Sequence, residues 1–134
     1  MFHQQPLLAH HIGCVTENME SSIAIYKQMG FQNISEVFFI QSQQVKVCFI
    51  ETANNFFLEL VEVLPSNVSL NKILKSKNPY YHVGYLVEDI SASIAQLQNI
   101  DFYLVNQFSS EAFQGKQCAF LYSPEMHLIE LIEK

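Results

Sequence analysis

The chain has 134 residues, 49% of them hydrophobic, which is enough for one ordinary domain with its own core. Acidic residues outnumber basic residues 13 to 7, and the resulting net charge of -6 repels nucleic-acid phosphates and anionic membrane surfaces. All the basic residues are lysines, so the chain has no arginine to hold a carboxylate or phosphate through two parallel hydrogen bonds. The composition therefore argues against a nucleic-acid or membrane partner.

Cysteine usage and the amino-terminal segment predict a cytoplasmic protein. Cys14, Cys48 and Cys118 each lie in an apolar run without a metal-binding spacing, and we interpret them as buried free thiols. No segment approaches the length of a membrane span. The 11 phenylalanines and 6 tyrosines, set beside few charged residues, lead us to expect apolar surface that a homodimer would cover.

The sequence is an internal repeat with a period of 71 positions. At this offset His11-Ile12-Gly13 aligns with His82-Val83-Gly84, and Leu58-Glu59-Leu60 aligns with Ile129-Glu130-Leu131, with no gap in between. Two halves that copy one another predict two copies of one structural module.

Each half is predicted to form a strand, a helix and three further strands. First strands are predicted over residues 11–15 and 82–87, and helices over 19–29 and 90–99. Asn18 and Asp89 stand where an N-cap would accept a hydrogen bond from the first helical turn. The remaining strands are predicted over residues 31–40, 45–51 and 56–63, and over 102–108, 116–122 and 127–133.

These elements predict an α+β fold made of two βαβββ modules in tandem. A single domain over residues 1–134 would contain module one at 7–64, a linker helix within 65–79 and module two at 80–134. Each module gives a sheet too small to bury its own face. We therefore expect the modules to pair into a curved mixed sheet with a shared central cleft.

Two histidines and two glutamates recur at equal spacing in the two modules. His11 precedes Glu59 by 48 positions, and His82 precedes Glu130 by the same number. A pseudo-twofold relation between the modules would bring all four side chains to the cleft. Two imidazole nitrogens and two carboxylate oxygens suit a divalent first-row metal and leave positions open for a substrate. Any one of these residues alone is more often a packed or solvated side chain, and the paired recurrence is what favours a metal site.

Motifs in both halves carry a family resemblance that covers nearly the whole chain. They are His10-His11-Ile12-Gly13 and Phe57-Leu58-Glu59-Leu60 in module one, and Tyr81-His82-Val83-Gly84 and Leu128-Ile129-Glu130-Leu131 in module two. These motifs resemble the vicinal oxygen chelate superfamily of glyoxalases, bleomycin-resistance proteins and dioxygenases. The segments 45–50 and 65–74 look most similar to methylmalonyl-CoA epimerases and glyoxalase-I-like proteins.

The resemblance implies a metal-dependent isomerase or lyase that stabilises an enolate or enediolate, with an epimerase-like or lactoylglutathione-lyase-like reaction. It implies that His11, Glu59, His82 and Glu130 bind one divalent ion, such as Zn, Ni, Co, Mn or Fe. The expected substrate is a small thioester or hemithioacetal. Glu130 is the expected catalytic base and Glu59 its symmetric alternative. Epimerases carry a second catalytic acid on the third strand, where Lys46 stands in this chain.

Two other functions stay open. A non-catalytic protein of the same fold could sequester a small molecule such as an antibiotic in the cleft, and its affinity would not depend on the metal. An iron-dependent dioxygenase would use two histidines and one carboxylate, so the fourth candidate ligand argues against that chemistry.

Overall fold

The computed structural model describes residues 7–134, which form strands and helices in the order βαβββ, α, βαβββ. The elements are β1 Leu8–Thr16, α1 Met19–Gln28, β2 Phe38–Ile40, β3 Val45–Ala53, β4 Phe56–Val63, α2 Val68–Lys75, β5 Tyr80–Val87, α3 Ile90–Gln98, β6 Tyr103–Ser110, β7 Lys116–Tyr122 and β8 Leu128–Glu133. This order confirms the predicted α+β fold of tandem βαβββ modules, while the exact module limits stay a prediction. Within residues 7–134, no helix is long and apolar enough to cross a membrane.

The chain divides into two compact units. The N-terminal unit comprises residues 11–81, and the C-terminal unit comprises residues 82–134 together with residues 7–10. The strand order is β2-β3-β4-β1 in the N-terminal unit and β5-β8-β7-β6 in the C-terminal unit. In both units the first and last strands of the module pair in parallel, and the other neighbours pair antiparallel.

In the N-terminal unit, α1 covers one face of the sheet, which we call the helix face. The buried core between α1 and this face consists of Met19, Cys48, Ile50 and Leu60. Because successive side chains of a strand point to opposite faces, Phe49 and Glu59 belong to the other face. We call it the histidine face, since strand register places His11 there as well.

The C-terminal unit repeats this division. On its helix face, the core contains Ile90, Ile94 and Leu97 from α3, packed on Val87, Ala119, Leu121 and Leu131. On its histidine face, which carries His82 and Glu130, a second cluster contains Phe108, Cys118 and Ile132. Both faces of this sheet are therefore packed with apolar side chains.

Both predicted helix caps are confirmed, and each helix has a second anchor. Asn18 and Asp89 each accept a hydrogen bond from the backbone N–H three positions later, at 2.9 and 3.0 Å. Glu62 of β4 accepts from the first N–H of α1 at 2.8 Å, and Glu133 of β8 accepts from the first N–H of α3 at 3.0 Å. A carboxylate on the last strand of each module thus fixes where its helix begins.

The strand predicted over 31–40 is wrong for most of its length. Only Phe38–Ile40 forms β2, and a single bridge joins Ile34 to Ile50. Ser35 explains the difference: its backbone N–H donates to the Phe49 carbonyl at 2.8 Å, whereas the Phe49 N–H donates to the Ser35 hydroxyl at 2.8 Å. A side-chain oxygen therefore replaces the backbone carbonyl that a regular strand would offer.

The three cysteines are buried thiols outside any disulfide, as the sequence indicated. Burial raises the pKa of Cys14 and of Cys48 above the usual thiol value. Because the thiolate is the reactive form, a raised pKa leaves these side chains chemically inert near neutral pH.

The anchor at Glu133 gives a stability prediction. Glu133→Ala removes the acceptor for the first N–H of α3, so we expect the free energy of unfolding to fall by about 1 kcal/mol. Urea denaturation measures this change. Glu125→Ala, which removes the same charge from an exposed turn, is the matched control and should change stability by less than about 0.5 kcal/mol. Equal effects of the two substitutions would contradict the anchoring role.

Candidate metal centre

Each unit contains one buried histidine–glutamate pair. In the N-terminal unit, His11 of β1 places Nε2 3.5 Å from Oε1 of Glu59 on β4. In the C-terminal unit, His82 of β5 places Nε2 3.2 Å from Oε1 of Glu130 on β8. All four side chains are buried, with at most 5% exposure. The structure therefore brings each candidate histidine to the candidate glutamate of its own module.

Strand register gives the two glutamates equivalent surroundings. The cross-strand neighbours are Gly13 and Phe49 for Glu59, and Gly84 and Phe120 for Glu130. A glycine has no side chain, so the strand on that side leaves room beside the carboxylate. This role of the glycines was missed in the sequence, although both belong to the repeated His-x-Gly motif that could have pointed to it.

An aromatic ring supports each imidazole. His11 meets Phe49 edge to face with ring centroids 5.9 Å apart, and His82 meets Phe120 in the same way at 5.3 Å. Such contacts restrict the tilt of the imidazole ring. The orientation that directs Nε2 toward the glutamate is thus held by packing within each unit.

The donor set fits a divalent cation. Each of the four side chains offers one ligand atom, and these atoms lie within 4.8 Å of one another, so His11, Glu59, His82 and Glu130 form a group that could hold a metal ion. The Nε2–Oε1 separations of 3.5 and 3.2 Å are close to the roughly 3 Å expected between neighbouring ligand atoms that each lie about 2.1 Å from one ion.

Charge supports the same interpretation. Two buried carboxylates are costly unless opposite charge or hydrogen bonds compensate them. The positive charge of a divalent cation balances the negative charge of two carboxylates. The imidazoles complete a set of nitrogen and oxygen ligands that first-row metals accept.

Lys46 lies away from the candidate centre. It stands opposite Glu62 on the helix face, with Nζ 3.9 Å from Glu62 Oε2. Glu59 points to the other face of the same sheet, where β3 contributes Val47 and Phe49. The acid that β3 does carry on this face is Glu51, two positions beyond Phe49, and its carboxylate accepts hydrogen bonds from the Asn33 amide and the Asn55 backbone N–H, both at 3.1 Å. The residue directly opposite Glu59 is therefore not an acid, and Lys46 does not take the place of one.

The other two histidines in the described chain have separate positions. His10 packs edge to face against Phe113, with ring centroids 5.6 Å apart. His127 is exposed in the turn before β8, as its lack of a partner in the repeat predicted. His127 consequently offers a control position for tests of metal binding.

Comparison with known proteins identifies the family. The model of the glyoxalase/bleomycin resistance protein/dioxygenase superfamily matches residues 10–122. The chain belongs to this superfamily, as its motifs predicted. A comparison with curated protein sequences finds no match.

Solved structures share the fold at low sequence identity. A hypothetical protein from Bacillus halodurans C-125 superposes with a TM-score of 0.80 at 23% identity, covering 96% of this chain and 94% of that one. A methylmalonyl-CoA epimerase in complex with methylmalonyl-CoA and NH4+ gives 0.84 at 16% identity, covering 97% and 96%. The methylmalonyl-CoA epimerase from Mycobacterium tuberculosis gives 0.81 at 17%, covering 98% and 93%.

Metal binding can be tested through stability. After treatment with a chelator, saturating Zn²⁺ should raise the melting temperature of the wild-type protein. An ion bound only by the folded state adds about 2.7 kcal/mol to the free energy of unfolding when the free ion concentration is 100 times Kd. We expect His82→Ala to lower the zinc affinity by more than about 100-fold. Losing a residue that only hydrogen-bonds a metal ligand lowers affinity by less than that. His127→Ala should keep the full thermal shift. An unchanged shift in His82→Ala would contradict ligation by His82.

Proposed function

We propose that the chain is a metal-dependent isomerase or lyase acting on a carbonyl compound with an acidic proton on the adjacent carbon. The observation that carries this proposal is the buried histidine–glutamate pair, which recurs with equivalent strand neighbours in both units. Membership of the superfamily and a fold similar to that of methylmalonyl-CoA epimerases support it.

The four paired residues are the proposed ligands of a single divalent ion in a cleft shared by the modules. His11 and His82 would supply imidazole nitrogens, and Glu59 and Glu130 would supply carboxylate oxygens. Held by these four residues, the ion would supply Lewis-acid stabilisation of the negative charge that develops on the substrate when the carbon-bound proton leaves.

Proton transfer is assigned to the glutamates. A carboxylate oxygen of Glu130 would take the proton from the carbon beside the carbonyl and return it to the product, with Glu59 as the symmetric alternative. The direct cross-strand neighbours favour this assignment, because Phe49 of β3 stands opposite Glu59 and Phe120 of β7 stands opposite Glu130, so neither neighbour is a second acid. An epimerase-like reaction would then use both glutamates instead of an acid on β3.

The proposed substrate is a small thioester or hemithioacetal. One structural neighbour is a methylmalonyl-CoA epimerase complexed with methylmalonyl-CoA, which makes an acyl thioester a reasonable first probe. Because the chain has no arginine, anionic groups of the substrate would be met by lysine side chains or backbone N–H groups.

We also propose that the protein forms a homodimer. In support, β2 and β6 are the outermost strands of their units, and Phe39, Tyr103 and Val105 on them are 47–69% exposed. Exposed apolar side chains on an outer strand favour association. Light scattering in solution tests this, and a monomeric mass at micromolar concentration would refute it.

Solvent exchange tests the proposed reaction. The zinc-loaded protein in D₂O should incorporate deuterium at the acidic carbon of methylmalonyl-CoA or of the hemithioacetal formed from methylglyoxal and glutathione. Removal of the metal should abolish incorporation. Nuclear magnetic resonance of the substrates provides the measurement, and metal-loaded protein that exchanges neither compound would contradict the proposal.

Glutamine variants separate metal binding from proton transfer. Glu130→Gln keeps an oxygen ligand of the same shape but loses the base, so we expect exchange to fall by at least about 100-fold while most of the metal is retained. Glu59→Gln is the matched variant of the other module. A protein that binds small molecules without catalysis would instead keep its ligand affinity after chelation and after either substitution.

A further inference from the structure

Asn106 of β6 has a polar group that the described structure does not satisfy. Its side-chain oxygen Oδ1 is buried and has no hydrogen-bond partner among the described residues. Buried acceptors without a partner destabilise a fold and are uncommon in native proteins. Asparagine is also disfavoured within strands. Folding alone gives no reason for asparagine at this position.

A β-bulge directs Asn106 to the histidine face. Leu104 pairs with Leu121, and both pack in the core on the helix face. The next paired residue is Asn106, opposite Phe120, so that Val105 is an extra residue between them. In a regular strand, Leu104 and Asn106 would point to the same face. The bulge therefore turns Asn106 toward the face that carries the histidine–glutamate pair.

Asn106 lies in one cross-strand row with Glu130. The row runs from Asn106 on β6 through Phe120 on β7 to Glu130 on β8. Two strand spacings separate the ends of the row, which corresponds to about 10 Å between the backbones. Phe120 lies between them and packs on His82 and Phe108, with ring centroids 5.3 and 5.5 Å away. A small molecule at Glu130 could reach Asn106 across this aromatic surface.

The equivalent position of the first module is satisfied by the protein itself. Ser35 lies 71 positions before Asn106 and stands beside Phe49, the counterpart of Phe120. Its hydroxyl accepts from the Phe49 N–H at 2.8 Å and donates to the Glu36 carbonyl at 2.7 Å. The polar group of the first module thus serves the fold, whereas the Asn106 oxygen is left for another molecule.

We propose that Asn106 is a substrate-binding residue, whose side-chain oxygen accepts a hydrogen bond from a neutral polar group on the part of the substrate that lies away from the reacting carbon. This inference rests on the proposed function. The amide oxygen is uncharged and accepts a hydrogen bond from a hydroxyl or an amide N–H without needing a counter-charge. The substrate class narrows to carbonyl compounds with a hydrogen-bonding substituent that lies near Asn106 when the reacting carbon lies near Glu130.

Asn106→Leu tests the proposal because it keeps the side-chain size and removes the hydrogen-bonding groups. The assay is deuterium exchange by zinc-loaded protein, using whichever of methylmalonyl-CoA and the glutathione–methylglyoxal hemithioacetal the wild type exchanges faster. We expect kcat/KM to fall about tenfold or more, with zinc content and melting temperature equal to or above those of the wild type. Unchanged stability separates substrate binding from a structural role.

Gln107→Leu is the matched control, since it makes the same kind of change at the next, exposed position of β6. It should leave exchange, zinc content and melting temperature near wild type. If the leucine variant does not fold, Asn106→Ala, which removes the same amide with a smaller side chain, decides the question, and it should show the same loss of exchange.

Three outcomes overturn the assignment of Asn106. Wild-type exchange rates in the folded variants would overturn it and leave the proposed function intact. A loss of exchange that follows a matching loss of melting temperature would make Asn106 a structural residue. A metal-loaded wild type that exchanges neither probe would overturn the proposed function, and the role of Asn106 with it.

Discussion

The structure depends on keeping a glutamate carboxylate buried beside an imidazole in each of its two units. Moving a carboxylate out of water costs several kcal/mol unless charge or hydrogen bonds compensate it. Strand pairing places Glu59 and Glu130 each on the last strand of a module, next to a histidine of the parallel first strand. A divalent cation shared by the two pairs would turn this costly burial into a binding site.

The internal repeat explains how the same surroundings arise twice. In each module, the glutamate paired with the histidine and the glutamate that anchors the helix lie on one strand, three positions apart, and therefore on opposite faces. Glu130 faces His82, while Glu133 holds the start of α3. Positioning of the site and anchoring of the helix thus follow from the register of a single strand. The modules differ where folding and ligand binding make different demands, as at Ser35 and Asn106.

The sequence located the two buried histidine–glutamate pairs because their signal is a spacing. The offset of 71 positions locates His11, Glu59, His82 and Glu130 without any knowledge of strand register. Features that depend on register could not be predicted. The sheet face on which Lys46 lies is set by its strand pairing with Glu62. The segment before β2 is irregular because the Ser35 hydroxyl replaces a backbone carbonyl as hydrogen-bond acceptor.

Asn106 was likewise outside the reach of sequence patterns. Simple alternation along β6 places it on the same face as Leu104, and only the extra residue in the strand turns it to the histidine face. Bulges leave no periodic trace in a sequence this short. The remaining hint is an asparagine within a predicted strand. Asparagine is so common in loops and at strand edges that its presence alone does not identify Asn106 as a binding residue.

Native mass spectrometry of the zinc-loaded protein tests the central claim most directly, because it counts the ions bound to each chain. If the two histidine–glutamate pairs hold one ion together, each wild-type chain carries a single zinc. Two ions per chain would mean that each pair binds its own metal. No tightly bound ion would mean that the buried pairs serve the fold alone, and either result would contradict the account.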